Sequence, residues 1–399
     1  MQQRPRLLLL GWLTATVAFA IDGYLPALPQ VRHDLHTTTA GTNLTLTALL
    51  LGLALGQLVG GPWSDAVGRR RPILIGLAGY AVTSALCAVA PDVTTLVALR
   101  FVQGTVGSIV IVVNRAVVRD CWEGAEAARV FSKLLLVFGA APILAPLIGA
   151  QVLQVTTWRG IFVLLALLGV VLGVAALRGL PETLPPERRK TGGLTDTAQS
   201  FRLLAHDRHY VLITLAAGVG YGSLFVYLSG SSFTLQQVFG LSPQQYALAF
   251  GANGIAFVAS SQVGGALVGR TGARPLVLLG AAMQATAGAV LLVGDALGGG
   301  LTTVLIGFVL ITSSLGFVTP NATALALSDH AARAGAAAAL LGLVSQLSSA
   351  VVAPLVGLAG APQPSLLGGI VLGCGTGCLV LASLSHAEAR RTALPELPV

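Results

Sequence analysis

Two ionisable side chains lie deep inside long apolar runs: Asp22, within "AFAIDGYLPALP", and Arg100, within "LVALRFVQG". A charge at the centre of a bilayer costs at least about 2.5–3.5 kcal/mol, so an idle aspartate there is not expected. Burial favours the protonated form of a carboxyl group and a nearby cation favours the charged form. A carboxyl that alternates between those surroundings can load and release a proton. The alternative for Asp22 is a local one, orienting the helix break at Pro26 and Pro29. Arg100 is its natural partner, because a lone buried guanidinium needs an anion. At 1.5 Å per residue both fall about 10 Å below the same boundary, a depth that permits contact.

Further polar residues share helical faces with these two. Arg100, Gln103, Gly107 and Asn114 form one polar stripe on an apolar helix. Gln103 and Asn114 serve equally well as substrate contacts or as hydrogen-bonding glue between helices. Tyr24 follows Asp22 by two residues. In the second half Tyr221, Phe225 and Ser229 share a stripe with Gly218 and Gly222, and Thr312, Gly316, Thr319 and Thr323 share another. An apolar, aromatic and mildly polar wall suits a lipophilic ligand, with small-residue packing as the alternative for the Gly and Thr positions. A third chemical oddity is "GPWSDAVGRRRP" (61–72), which puts three arginines after Asp65 and Gly68 between two greasy runs.

The elements that must hold these residues follow from composition. Hydrophobic residues make up 54% of the 399, charged residues only 10%, and mean hydropathy is +0.82. That is too little charge to cover a water-facing surface, where about 25% is usual, so the chain is an integral membrane protein. A spanning helix needs about 20 mostly apolar residues. Twelve candidates occur, near 7–29, 40–62, 72–90, 93–118, 130–154, 158–178, 209–232, 244–268, 274–294, 300–326, 333–358 and 365–386. The long link 179–208, opening "GLPETLPPERRK", separates an N-terminal six-helix bundle (1–178) from a C-terminal one (209–399). With that count, 20 of the 23 Lys and Arg fall on the side of the termini and the long link. Arg32 and Arg159 fall opposite and Arg100 inside a span. The positive-inside rule makes the first side cytoplasmic. The net charge of +8 is then a topology signal, and no nucleic-acid partner is expected. The N-terminal run resembles a signal peptide but continues to Leu28, so it is expected as an uncleaved first span, with cleavage the alternative.

The halves repeat. "GGPWSDAVGRRRP" (60–72) returns weakened as "GGALVGRTGARP" (264–275), "APLIG" (145–149) as "APLVG" (353–357), and "VNRA" (113–116) faces "PNAT" (320–323), at offsets of 204, 208 and 207 residues. Repeated six-helix units with a site between them are a transporter architecture. On "DGYLPALP" (22–29), "GPWSDAVGRRRP", "RFVQG" (100–104) with "RAVVRD" (115–120), and "APILAPLIGA" (141–150), the chain resembles the major facilitator superfamily. More closely it resembles the twelve-helix drug:proton antiporters of the Bcr/CflA (bicyclomycin/chloramphenicol resistance) type. It departs at Ala66, where a basic residue is usual, and at Ala145 and Ala150, where Gly is usual.

The resemblance implies an all-α membrane fold of two pseudo-symmetric six-helix bundles. It implies proton-coupled efflux of small lipophilic compounds or antibiotics by alternating access, from the cell (inner) membrane. Protons and the drug are the partners, in a monomer with no cofactor and no metal. Asp22 and Arg100 would couple the proton, and Tyr24, Gln103, Asn114, Tyr221 and Phe225 would meet substrate. Gating would fall to Asp65, Gly68, Arg69, Asp120, Pro142, Pro146 and Gly149. By the same analogy Arg69 pairs with Asp120, Gly68 allows a tight turn, and Asp65 faces the start of the eleventh span near Arg333. The contact would hold only with the protein open to the outside. The proline-bearing fifth span marks antiporters in that family.

A proton symporter importing a metabolite is the alternative of the same fold. A membrane-embedded enzyme or non-transporting sensor is the alternative of another class. "GGALVGRT" (264–271) falls short of a phosphate-binding loop, which needs a preceding strand. "HDLH" (33–36) is expected to be solvated, and Cys374 and Cys378 to pack as small residues, with metal ligation the alternative at each.

Overall fold

A computed structural model describes residues 5–122, 124–189, 193–328, 330, 333–357 and 363–393. Its α-helices are α1 (Leu7–Asp22), α2 (Leu28–Asp34), α3 (Thr39–Val67), α4 (Arg70–Ala88), α5 (Val93–Cys121), α6 (Gly124–Val155) and α7 (Trp158–Gly179). There follow α8 (Gly193–His206), α9 (Arg208–Phe233), α10 (Pro243–Thr271), α11 (Ala273–Ala296), α12 (Gly300–Ser328), α13 (Ala334–Leu355) and α14 (Pro364–Ala393). Among the described residues ten helices are long and apolar enough to cross a membrane, α1 and α2 counting as one. The two other expected spans fall on α6, whose described apolar part is Ala140–Val155, and on α10, 29 residues long.

Local chemistry sets the helix starts. Side-chain oxygens of Thr38, Asp92 and Asp207 accept from the backbone nitrogens of Gly41, Thr95 and Tyr210 at 3.0, 2.9 and 3.0 Å. Each satisfies one of the first-turn donors that a helix leaves open. The first span does not run straight. Pro26 lacks the donor an α-ladder needs, and Leu25–Ala27 winds as a 3₁₀ turn between α1 and α2. Asp22 is the last residue of α1.

The chain divides into two compact units. One comprises residues 1–194 with 235–251, the other 195–234 with 252–399. The division at 194/195 lies inside the expected link, which carries the 14-residue helix α8. The grouping of 235–251 with the first unit departs from a simple two-bundle split. Side chains of this segment bond to backbone of the first unit: Gln236 Nε2 donates to Pro26 O at 3.1 Å and Gln244 Nε2 to Ala150 O at 3.0 Å. Arg32 Nη1 donates to Gln237 Oε1 at 2.8 Å.

In the first unit Leu10, Leu13, Ile73, Leu77, Val110, Val113 and Leu172 join α1, α4, α5 and α7 in one apolar core. The backbones of α3 and α5 touch: a Cβ at Gly52 would stand 2.0 Å from Phe101 O, and one at Gly104 2.1 Å from Leu49 O. Small residues permit such contact where no water drives helices together. The second unit packs Tyr210, Ile213, Val277, Ala281, Val318, Ala322 and Cys378. Cys374 is buried as well, and all four cysteines are free thiols.

Candidate functional site

Asp22 is 7% exposed, and its carboxylate meets no hydrogen-bonding or ionic partner among the described residues. Arg100 is fully buried, yet the expected ion pair between them is not formed. The helix break supplies the reason. Tyr24 N steps back only three residues, to Ile21 O at 3.3 Å. That leaves Ala20 O to accept from Arg100 Nη2 at 2.9 Å. Arg100 Nη1 donates to Gln103 Oε1 at 2.7 Å, and the guanidinium lies 4.8 Å from the Tyr24 ring centre and 5.5 Å from that of Phe162. Aromatic faces attract a cation, so the charge is held without a carboxylate. Arg100 Nε has no partner among the described residues.

The polar stripe of α5 is turned toward α1 and α4. Gln103 Nε2 donates to Ser84 Oγ at 2.7 Å, and Ser84 Oγ to Tyr80 O at 2.6 Å. Asn114 Nδ2 donates to Leu10 O at 2.9 Å and to Thr14 Oγ1 at 3.0 Å. Tyr24 is fully buried, its hydroxyl 3.2 Å from Thr45 Oγ1 and its ring centre 5.3 Å from Phe162. In this structure these three side chains tie helices together.

Pro142, Pro146 and Gly149 lie in α6, where each proline removes one ladder bond. Gly149 is set against Gly23, the residue after Asp22. In the second unit Tyr221 is half-buried over the buried Phe225, ring centres 5.9 Å apart. Thr312 and Thr323 bond carbonyls of their own helix. Thr312 also reaches Asn253 Oδ1 of α10 at 3.4 Å, a buried amide that no pattern in the sequence singled out.

The basic link between α3 and α4 is a network. Arg69 Nε donates to Asp120 Oδ2 at 2.8 Å, and Nη1 to Ser64 Oγ at 2.7 Å and Asp65 Oδ1 at 2.6 Å. Asp65 is thus taken by Arg69, one helical turn on. Burial pulls the Arg69 guanidinium down, and the bonds to Asp120 and Asp65 more than offset it, leaving its pKa above the ordinary arginine value. Gly68 has φ +100° and turns the chain into α4.

Glu182, which no sequence pattern marks, completes the network. It accepts from the backbone nitrogens of Arg69, Arg70 and Leu184 at 2.7, 3.2 and 3.0 Å. Thr183 Oγ1 adds a bond to Asp120 Oδ2 at 3.2 Å. A cavity of about 670 Å³ opens beside it, lined by Asp65, Arg69, Arg119, Asp120, Glu187 and Arg189 among others. The weaker repeat copy keeps the turn, at Gly272 with φ +78°, but has Gly269 and Ala273 where the first has Asp65 and Arg69.

Residues 10–354 match the Major Facilitator Superfamily. An uncharacterized MFS-type transporter, YdgK of Bacillus subtilis, is 37% identical over 352 residues, 88% of each chain. A bicyclomycin resistance protein homolog of Haemophilus influenzae is 30% identical over 350 residues, again 88% of each. The multidrug resistance protein MdtL of Salmonella heidelberg is 27% identical over 355 residues, 89% of this chain and 88% of that one. Among solved structures, the peptide transporter POT in complex with sulfate aligns with a TM-score of 0.78 at 15% identity, covering 97% of this chain and 95% of that one. At such identity the likeness speaks for the fold alone. The chain is therefore an all-helical, multi-span membrane transporter that belongs to the major facilitator superfamily, in its Bcr/CflA group.

Proposed function

We propose that this protein exports small lipophilic compounds, antibiotics among them, in exchange for protons, with Asp22 as the proton carrier. The observation that supports this most is the carboxyl itself. It is buried at the end of an apolar helix, and among the described residues no cation within 4 Å balances it. An unpaired charge there is costly, whereas a protonated carboxyl is not, and the helix break beside it gives that end of α1 freedom to move. Arg100 sits two residues upstream on Ala20 O, and its free Nε leaves it a bond to make when the proton departs. One carboxyl implies one proton per cycle, which suits a neutral or singly charged substrate.

Tyr221 and Phe225 of α9 form the lipophilic wall in this reading. Tyr24, Gln103 and Asn114 act within the first unit, where their bonds fix α1, α3, α4 and α5. The Arg69 network acts in this reading as the gate, on the side that the positive-inside rule makes cytoplasmic. The relatives named for bicyclomycin and multidrug resistance favour drugs over metabolites as cargo.

The test is efflux from membrane vesicles under an imposed pH gradient, with a panel of antibiotics. Asp22→Asn is expected to abolish gradient-driven efflux while leaving counterflow exchange intact. Full gradient-driven efflux by that variant would reject Asp22 as the carrier.

A further inference from the structure

A carboxyl without side-chain partners is placed by the backbone on either side of it. Upstream of Asp22, Arg100 grips Ala20 O. Downstream, the grip is a contact between backbones. A Cβ at residue 149 would stand 2.0 Å from Gly23 O and 3.0 Å from Gly23 C, so α6 seats on α1 there only because residue 149 is glycine. A Cβ at residue 23 would come 2.7 Å from Phe19 O and 3.4 Å from Ala145 O. Gly23 N makes the last bond of the α1 ladder, to Phe19 O at 3.1 Å, and from Tyr24 on the ladder is broken, so Gly23 is the joint at which α6 meets the end of α1.

The other end of the seat is movable. Pro142 and Pro146 weaken α6 within two turns of Gly149, and bends in helices concentrate at prolines. Ala150, the next residue, accepts from Gln244 Nε2 at 3.0 Å. A displacement of the 235–251 segment therefore reaches Asp22 through four residues: Gln244, Ala150, Gly149 and Gly23. Charge does not compete with this path. From Ala140 to Val155 α6 has no titratable side chain. α7 has Arg159 near its start, occupied by Ala90 O and Asp34, and Arg178 in its last turn, at the far end of the helix. The titratable groups beside Arg100 are Tyr24, Tyr80 and Cys87.

We propose that Gly149 and Gly23 form a backbone seat through which the proline-bent α6 sets the position of Asp22, making Gly149 a positioning residue for proton uptake and release. The inference rests on the reading of Asp22 as the proton carrier. It adds the device by which movement of α6 and of the 235–251 segment changes the carboxyl's proton affinity.

The test is pH-difference infrared spectroscopy of the purified full chain, following the carboxyl C=O band that disappears in Asp22→Asn. Gly149→Ala is expected to move the midpoint of that band by about half a pH unit or more, roughly a threefold change in proton affinity. Gln244→Ala is expected to move it in the same direction by less, and it decides the matter if Gly149→Ala does not fold. Gly375→Ala creates a comparable backbone collision, 2.4 Å from Ala285 N, between α14 and α11 of the second unit. It is expected to leave the midpoint in place. Midpoints at the wild-type value in both first-unit variants, or an equal shift in Gly375→Ala, would overturn the seat while leaving the carrier standing. Absence of any titrating band assignable to Asp22 would overturn both.

Discussion

Glu182 Oε1 accepts a hydrogen from the backbone nitrogen of Arg69 at 2.7 Å, across 113 residues of chain. Oε2 takes the nitrogen of Arg70 at 3.2 Å. The residue at the start of α4, Arg69, offers no side-chain acceptor of its own, so the link after α7 caps α4 from outside. Loss of a helix N-cap costs about 1 kcal/mol. Glu182→Ala is expected to lower stability in detergent by that amount, and Glu182→Gln by less, because an amide oxygen still accepts. A thermal midpoint for Glu182→Ala equal to that of the wild type would reject the cap.

Gly68 serves this cap twice. Its φ of +100° with ψ of 171° belongs to a region open to glycine alone, and a Cβ there would stand 2.5 Å from Glu182 Oε2. Gly68→Ala is expected to cost about 1–3 kcal/mol. Part of that cost is the collision with Glu182 and part is the backbone. In the double variant with Glu182→Ala the collision vanishes and the strain remains. The two losses should therefore fall short of additivity by about 0.5 kcal/mol or more, as read from unfolding of all four proteins.

Arg69 holds Asp120 through Nε and both Asp65 and Ser64 through Nη1. Lysine has the charge without the fork, so Arg69→Lys is expected to restore little of what Arg69→Ala loses. The readout is maleimide labelling of a cysteine placed at Leu184, which lines the adjoining cavity, in a background without the native thiols. Both variants should label several-fold faster than the parent. Labelling at the parent rate in Arg69→Ala would show that the network holds nothing closed.

Much of this was legible in the sequence where a single residue type carries the signal. Asp92 and Asp207 cap α5 and α9 at the expected starts, and Gly68 and Gly272, 204 residues apart, both turn with positive φ into the next helix. Asp22 and Arg100 stood out because charge in an apolar run is rare. Their relation was not legible, since it depends on a carbonyl that becomes free only when the ladder breaks at Tyr24. Glu182 lay in a proline-rich link with no period to mark it. The segment 235–251 belongs with the first unit, and its glutamine side chains reach backbone carbonyls there, contacts for which sequence spacing gives no sign. The stripe of Gln103 and Asn114 was visible as a pattern, but only coordinates show that it faces α4 and α1.

Arg100 gives the sharpest test of how the site is held. Replacement by Ala would leave Ala20 O and Gln103 Oε1 without their donor inside a region that excludes water, and an orphaned buried acceptor costs about 1–3 kcal/mol. Two acceptors and the lost faces of Tyr24 and Phe162 put the expected cost of Arg100→Ala near 3 kcal/mol. Arg100→Lys keeps a charge, but its single ammonium cannot span both acceptors as Nη1 and Nη2 do, so it should recover less than half of the loss. Gln103→Leu removes one acceptor together with its donor to Ser84 and should cost less than Arg100→Ala. In the double variant the two losses should not add, because they share one bond. Unfolding of the four proteins in detergent decides the point: additive losses would mean that Arg100 and Gln103 act on the fold independently, and the chain from Ala20 through Arg100 and Gln103 to Ser84 would not be a unit.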